Sequence, residues 1–177
     1  MSLQSESAKT PIDLSRSNNG SYQPGRPKWF QALWMLTEFM FISNTLQPSS
    51  HLRTLVLRAF GARIGRQVIL RPRMRVKFPW RLSIGDHCWI GEGVWLHNQA
   101  QLDIGAHSVI SQEAFVTTGS HDLYKTMNLV VAPVRIGSGV WITARCIVLK
   151  GVAIGDNTVV LPGSTVHRSL DAGGVYG

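Results

Sequence analysis

The sequence predicts an all-β core, a parallel β-helix of six-residue repeats, carrying an α-helical cap at its N-terminal end. Three observations carry this. Five of the six Ile-Gly pairs, Ile64-Gly65, Ile84-Gly85, Ile104-Gly105, Ile136-Gly137 and Ile154-Gly155, mark a recurring start. Stepping forward by six from each isoleucine meets Leu70 and Val76, Ile90 and Leu96, Ile110 and Val116, Ile142 and Val148, Val160 and Val166. All fifteen positions are Ile, Leu or Val, types that fill only 45 of the 177 positions. The residue four places after each is, beyond the first coil, small or medium: Cys88, Val94, Ser108, Ala114, Val140, Cys146 and their equivalents. A long aliphatic followed by a small residue suits a short strand and a tight corner. Period six fits neither a helix nor simple alternation. Three hexads close one triangular coil, and coils stack as parallel strands at ~4.8 Å.

From the N-terminus, residues 1–26 are polar, with Asn18-Asn19-Gly20 and Pro24-Gly25, and read as a flexible arm. Residues 27–62 read as the cap. Pro27 opens a helix whose Trp29, Leu33, Leu36 and Met40 share a face, broadened by Phe30, Trp34 and Phe41. Pro48 breaks it, Ser50 caps a second helix, and Gly61 stops that helix. Two roles stay open: covering the open end of the β-helix, or lying on anionic lipid as an interfacial helix. Residues 63–177 form the β-helix. The spacings between those five Ile-Gly pairs are 20, 20, 32 and 18. They place two-residue bulges at Leu82-Ser83 and Leu102-Asp103 and a 14-residue loop over residues 122–135. Long loops on rigid scaffolds are where function concentrates.

Composition bounds the rest. At 177 residues the chain is one domain, large enough for a core without staples. Cys88 and Cys146 can form neither a disulfide framework nor a four-cysteine zinc site. The first residues lack the pattern of a secretory signal, and no long apolar run reads as a spanning helix, so a cytoplasmic protein is expected. The net charge of +8 is uneven. Nine of the 18 cations fall between Arg53 and Arg81, where there is no acid. Such a block is either a solvated basic face or a site for phosphates or anionic lipid. Without aromatics interleaved on the same face it does not read as a nucleic-acid site.

The segments RAFGARIG (58–65), IGDHCWIGEGVWLHN (84–98), ISQEAFVTTGSHD (110–122), VWITA (140–144) and LPGSTVHR (161–168) resemble the hexapeptide-repeat acyltransferases, and within them the colanic acid biosynthesis acetyltransferase group. The likeness covers roughly residues 25–177. It implies a left-handed β-helix, a homotrimer with sites between subunits, and acetyl-CoA as donor. The implied activity is O-acetylation of a sugar hydroxyl in cell-surface polysaccharide assembly. A sugar or lipid-linked oligosaccharide would be the acceptor, with possible peripheral contact at the inner membrane face. A non-catalytic trimeric β-helix module, and an acyltransferase for another small hydroxyl or amine, are the alternatives.

The resemblance makes His121 the general base. A sugar hydroxyl must lose its proton as it attacks a thioester, and histidine suits that task near neutral pH. By spacing, His121 takes the sixth, outward position of the hexad that starts at Val116, at the mouth of the loop. The resemblance places Asn98 against the acceptor, with His97 lining the same cleft. It places Trp141 and Ala144 on the pantetheine arm, although Thr143 replaces the family's frequent glycine. Arg168 takes the place of a lysine that meets a coenzyme A phosphate. Relatives run on past GGVYG into a G-N-P-A segment, so the C-terminus reads as truncated. His87 and His107 occupy equivalent corners one coil apart and should stack outside. No histidine triplet converges, and no metal is expected. Both cysteines fall at inward positions, where burial makes a thiol inert. The sixth positions Ile69, Trp89, Val109, Trp141 and Val159 form an outward apolar column that needs a partner.

Overall fold

The computed structural model describes residues 21–122 and 127–177. Positions 1–20 of the expected arm and 123–126 of the expected loop lie outside the described residues. Helix α1 (Lys28–Thr37) runs into one π-helical turn, Glu38–Ile42, and α2 (Ser50–Ala59) follows. The first coil holds β1 (Arg63–Ile64), β2 (Ile69–Leu70) and β3 (Arg75–Val76). The second holds β4 (Leu82–Ile84), β5 (Trp89–Ile90) and β6 (Trp95–His97). The third holds β7 (Leu102–Ile104), β8 (Val109–Ile110) and β9 (Phe115–Thr117), then leaves the coil as β10 (Gly119–His121) and β11 (Leu129–Val131). The fourth holds β12 (Val134–Ile136), β13 (Trp141–Ile142) and β14 (Ile147–Val148). The fifth holds β15 (Ala153–Ile154), β16 (Val159–Val160) and β17 (Thr165–Val166), and β18 (Val175–Tyr176) belongs to a sixth.

Strands one coil apart pair in parallel and build three faces. Face A is β1-β4-β7-β12-β15, face B is β2-β5-β8-β13-β16-β18, and face C is β3-β6-β9-β14-β17. The register is that of the hexads: Ile64 lies over Ile84, Leu70 over Ile90, Val76 over Leu96. All fifteen aliphatics are buried. Each contributes about 1.5–3 kcal/mol against exposure. The repeated glycine has a steric cause. A Cβ on Gly85 would lie 2.5 Å from the Ala106 nitrogen, and one on Gly105 would lie 2.5 Å from the Gly137 carbonyl carbon. The next coil passes too close for any side chain there.

The predicted bulges are not where the spacing puts them. Leu82 and Leu102 extend the face A strands and stack in register with Val134 as a further buried layer. The corners before them absorb the extra residues, the first as a 3₁₀ turn over Pro79–Arg81. The long insertion also starts earlier. It is an antiparallel hairpin, Gly119 opposite Val131 and His121 opposite Leu129, and Val134–Ile136 is already strand.

The cap closes the open edge of all three faces with side chains, because a bare strand edge leaves backbone groups unpaired. On face C, the Trp34 indole N–H donates to the Val76 carbonyl at 3.0 Å, and the Val76 N–H donates to Glu38 Oε1 at 2.9 Å. On face B, the Ser50 hydroxyl donates to the Val68 carbonyl at 3.3 Å and accepts from the Leu70 N–H at 2.8 Å. On face A, the Arg58 guanidinium donates to the Ile64 and Gly65 carbonyls at 2.7 and 2.8 Å. Ser50 is thus a bridge to the coil, and the N-cap is Ser49, which accepts from the Leu52 N–H at 3.2 Å.

Three details differ from expectation. Arg53, counted in the basic block, is fully buried in a cage of the Ile42, Asn44, Gln47 and Leu70 carbonyls. Helix α1 packs through Phe30, Trp34 and Glu38, and leaves the Trp29, Leu33, Leu36 and Met40 stripe exposed. Residues 21–26 lie against the coil: the Tyr22 hydroxyl donates to the Gln99 carbonyl at 3.0 Å, and Trp80 Nε1–H to the Pro24 carbonyl at 2.7 Å.

Candidate functional site

The triangular coil has three edges. Edge A–B turns through four-residue corners such as Gly85–Cys88 and Gly105–Ser108. Edge B–C turns through Ser111–Ala114, Thr143–Cys146 and Leu161–Ser164. Edge C–A carries every insertion.

His121 lies on the hairpin of edge C–A, not at a hexad position. Its side chain is exposed, and Nδ1 lies 2.8 Å from the Met127 carbonyl oxygen. A carbonyl only accepts, so Nδ1 carries the proton and donates it. In the neutral ring the lone pair is then on Nε2. The hairpin thus fixes both tautomer and ring direction. This is the arrangement a general base needs, and the hexad count alone does not provide it.

His97 ends β6 and is half-buried, its Nδ1 3.3 Å from the Thr117 hydroxyl. That hydroxyl donates to the Gly119 carbonyl at 3.0 Å, at the root of the strand carrying His121. Burial first, then Lys77 and Arg75, push the His97 imidazole below its ordinary pKa. His97, Trp95, Arg75, Lys77, Gln31 and Glu38 line a cleft of about 160 Å³ between α1 and face C. Burial raises the Glu38 carboxyl, opposed by the Val76 N–H and the Arg75 and Lys77 charges. The cleft therefore offers donors and acceptors together, beside the aromatic plane of Trp95. In the sequence Lys77 reads only as part of the basic block and Gln31 and Glu38 only as polar residues of the cap; it is the packing of the cap on face C that brings them to one cleft.

Asn98 requires a correction. It is fully buried: its amide donates to the Phe78 and Arg81 carbonyls at 2.7 and 3.1 Å, and its oxygen accepts from the Phe78 N–H at 3.1 Å. The side chain holds the 3₁₀ corner and is shut off from any acceptor by burial. It shapes the floor of edge C–A instead.

On face B, Trp141 is half-exposed, and its Nε1–H donates to the Ser111 hydroxyl at 2.9 Å. Ala144 is on edge B–C, in an open groove of about 560 Å³ with Gln112, Glu113, Arg145, Pro162 and Gly163. Thr143 does not obstruct it. Its hydroxyl turns inward and donates to the Val160 carbonyl at 2.6 Å. Arg168 follows β17 on edge C–A and is exposed. One chain therefore brings His97 and His121 to edge C–A, and keeps Trp141 and Ala144 on the far side of face C.

The remaining polar groups are structural. The Cys88 thiol donates to the Gly105 carbonyl at 3.0 Å, and burial raises its pKa. Cys146 donates to the Leu161 carbonyl at 3.1 Å. The His87 and His107 rings stack at 4.8 Å and 10° on edge A–B. Among the described residues no three His, Cys, Asp or Glu side chains converge.

Comparison with known proteins agrees with this geometry. Residues 133–168 match the family described as bacterial transferase hexapeptide (six repeats). The chain is 40% identical over 143 residues to an Escherichia coli K12 protein provisionally named colanic acid biosynthesis acetyltransferase WcaF, spanning 79% of this chain and 78% of that one. It is 25% identical over 136 residues to the galactoside O-acetyltransferase of the same organism, spanning 74% and 67%. It superposes with a TM-score of 0.79 and 22% identity on a hexapeptide-repeat acetyltransferase from Vibrio cholerae solved with acetyl coenzyme A, covering 90% of this chain and 87% of that one. The fold is that enzyme's left-handed parallel β-helix, and the chain belongs to the hexapeptide-repeat acyltransferases.

Proposed function

We propose that the protein transfers the acetyl group of acetyl-CoA to a sugar hydroxyl in cell-surface polysaccharide assembly, on the cytoplasmic side. The observation that carries this is His121, with Nδ1–H anchored on Met127 and Nε2 left to receive a proton. In this reading the acceptor lies against the His97–Trp95–Lys77 cleft. Its hydroxyl oxygen attacks the thioester carbonyl carbon as Nε2 takes the proton. The carbon–sulfur bond then breaks, and the thiolate recovers that proton from Nε2. Holding both reactants beside the base removes the entropic cost of a three-body encounter.

The division of residues between edges supports a homotrimer. Trp141 and Ala144 sit across face C from His121, so donor and base meet if one protomer supplies edge B–C and its neighbour supplies edge C–A. Trp89 and Trp141 stand out from face B in register with Val109, an apolar column suited to a subunit contact.

Complementation tests the reading. His121→Ala and Ala144→Arg should each be inactive in a thiol-release assay with sugar and lipid-linked oligosaccharide acceptors. Co-assembled at equal amounts, they should recover about a quarter of wild-type activity, because that share of sites joins two intact halves. No recovery from hybrids shown to be mixed trimers would place donor and base on one chain. Thiol release unaffected by His121→Ala would remove the proposed base.

A further inference from the structure

Helix α1 has two apolar faces, and the coil uses only one. The outer one carries Trp29, Leu33, Leu36 and Met40 at helical spacing, with Phe39 beside them and Leu46 on the turn beyond. All six are exposed, Trp29 at 68%, Phe39 at 73% and Leu46 at 90%. A helix apolar on opposite sides requires a second partner.

Charge says which kind. Residues 21–85 hold eleven cations and one acid, a net +10, whereas residues 86–177 hold five cations and seven acids, a net −2. The single acid of the first half, Glu38, is turned onto the Val76 N–H. Arg26, Lys28, Arg58, Arg63 and Arg71 are all exposed around the cap and first coil. The charge is thus segregated along the coil axis toward the end that carries the bare aromatic face. A two-fold contact of this face with the same face of a second copy would set +10 against +10, and the trimer proposed above uses face B and the edges of face C rather than this face of the helix. No described helix is long and apolar enough to cross a membrane. An amphipathic helix flanked by cations and bearing Trp and Phe instead lies in the headgroup plane.

We propose that the outer face of the cap docks on an anionic lipid bilayer, with Trp29 and Phe39 inserted among the headgroups and the Arg63 and Arg71 side chains on lipid phosphates. This does not rest on the acetyl transfer argued above, since adsorption to a bilayer needs no turnover. It would, however, hold the cleft near a lipid-linked acceptor.

Vesicle flotation tests it with the full chain. Wild type should float with phosphatidylcholine–phosphatidylglycerol vesicles and stay behind with phosphatidylcholine alone, and salt should weaken the binding. Trp29→Ser with Phe39→Ser should weaken it at least ~tenfold by removing the inserted area. Arg63→Glu with Arg71→Glu should weaken it by more than ~tenfold on anionic vesicles only. All four side chains are exposed, so thermal unfolding should match wild type. Quenching of tryptophan emission by brominated lipid should drop with the conservative Trp29→Phe. Wild-type binding that is equal on neutral and anionic vesicles, or unchanged in both pairs, overturns the proposal. So does a Trp29/Phe39 pair that changes oligomer size while vesicle binding persists, which would make the face a contact between copies.

Discussion

Edge A–B of the coil carries His87 and His107 and edge C–A carries His97 and His121, and the two pairs differ in what the backbone does around them. On edge A–B every corner is the same length. His87 and His107 occupy its left-handed position at φ of 59° and 58°, and their rings stack on one another. Each is one copy of a repeated corner, and the coil closes through its backbone N–H rather than its ring nitrogens. On edge C–A the backbone lengthens three times. It builds the 3₁₀ corner pinned by Asn98, the strand extension that brings His97 to Thr117, and the hairpin that ties His121 to Met127. A solenoid makes equivalent positions nearly interchangeable. Chemistry that needs one particular atom therefore sits where the period breaks.

The largest effect expected from this contrast is on turnover. His121→Ala should lower kcat by ~10²–10⁴, the usual worth of a general base, with little change in coenzyme A affinity. His107→Ala on edge A–B should leave kcat within about twofold, since its loss removes one surface stacking contact. Steady-state kinetics of the two variants side by side checks this. Comparable losses from both would mean that the edges do not differ as argued.

Stability should divide the same way. Asn98→Ala strands the Phe78 N–H and the Arg81 carbonyl inside the corner and leaves the Phe78 carbonyl with the Arg81 N–H alone, at a cost of about 2 kcal/mol. His87→Ala should fall within about 0.5 kcal/mol of wild type. Urea unfolding measures both. An Asn98→Ala protein of wild-type stability would show that water replaces those hydrogen bonds, and would reopen the residue as an acceptor contact.

Arg168 is the residue that least respects the division, lying on the edge of His121 although the resemblance gives it to the donor. If it meets a coenzyme A phosphate, Arg168→Ala should weaken coenzyme A binding by about tenfold, the worth of one charge-assisted contact. Calorimetry with coenzyme A and its dephospho form would show a smaller loss for the latter. Equal affinity in wild type and variant would remove Arg168 from the donor site.

What the sequence makes legible follows this line. The inward aliphatics, the inert cysteines, the outward Trp89 and Trp141 and the stacked His87 and His107 are all readable, because each repeats and the repeat fixes its direction. The errors cluster where it lapses. The two-residue insertions show in the spacing, but their position is decided by Leu82, Leu102 and Val134 packing inward, which no count reveals. Asn98 passes for a ligand because a side chain spent on Phe78 and Arg81 looks the same in sequence as a free one. On α1 the stripe at helical spacing is the exposed one. Trp34 and Glu38 are drawn inward by the unpaired Val76 backbone, a tertiary demand that periodicity does not carry.

The smallest effect concerns the cleft beside edge C–A, where two groups shift in opposite directions. Burial, with Lys77 and Arg75, holds folded His97 below its ordinary 6.5. Just below that pH the unfolded chain binds a proton that the folded chain refuses, so this group lowers stability as pH falls. Burial holds folded Glu38 above its ordinary 4.5. Just above that pH the folded chain keeps a proton the unfolded chain gives up, so this group lowers stability as pH rises. His97→Gln should therefore lessen the loss of stability on acidification below ~6.5. Glu38→Gln, whose amide oxygen can still accept from Val76, should raise the melting temperature at pH ~7 and leave it nearly unchanged below ~4.5. Both side chains retain some contact with water, so each shift should be of the order of ~1–3 °C in melting scans. If both substitutions moved the profile in the same sense, the opposed environments assigned to this cleft would be wrong. If the senses are opposite, the cleft holds an imidazole and a carboxylate that both resist charge, beside the coil edge that carries His121. That is the polarity a neutral hydroxyl acceptor requires, and nothing on edge A–B reproduces it.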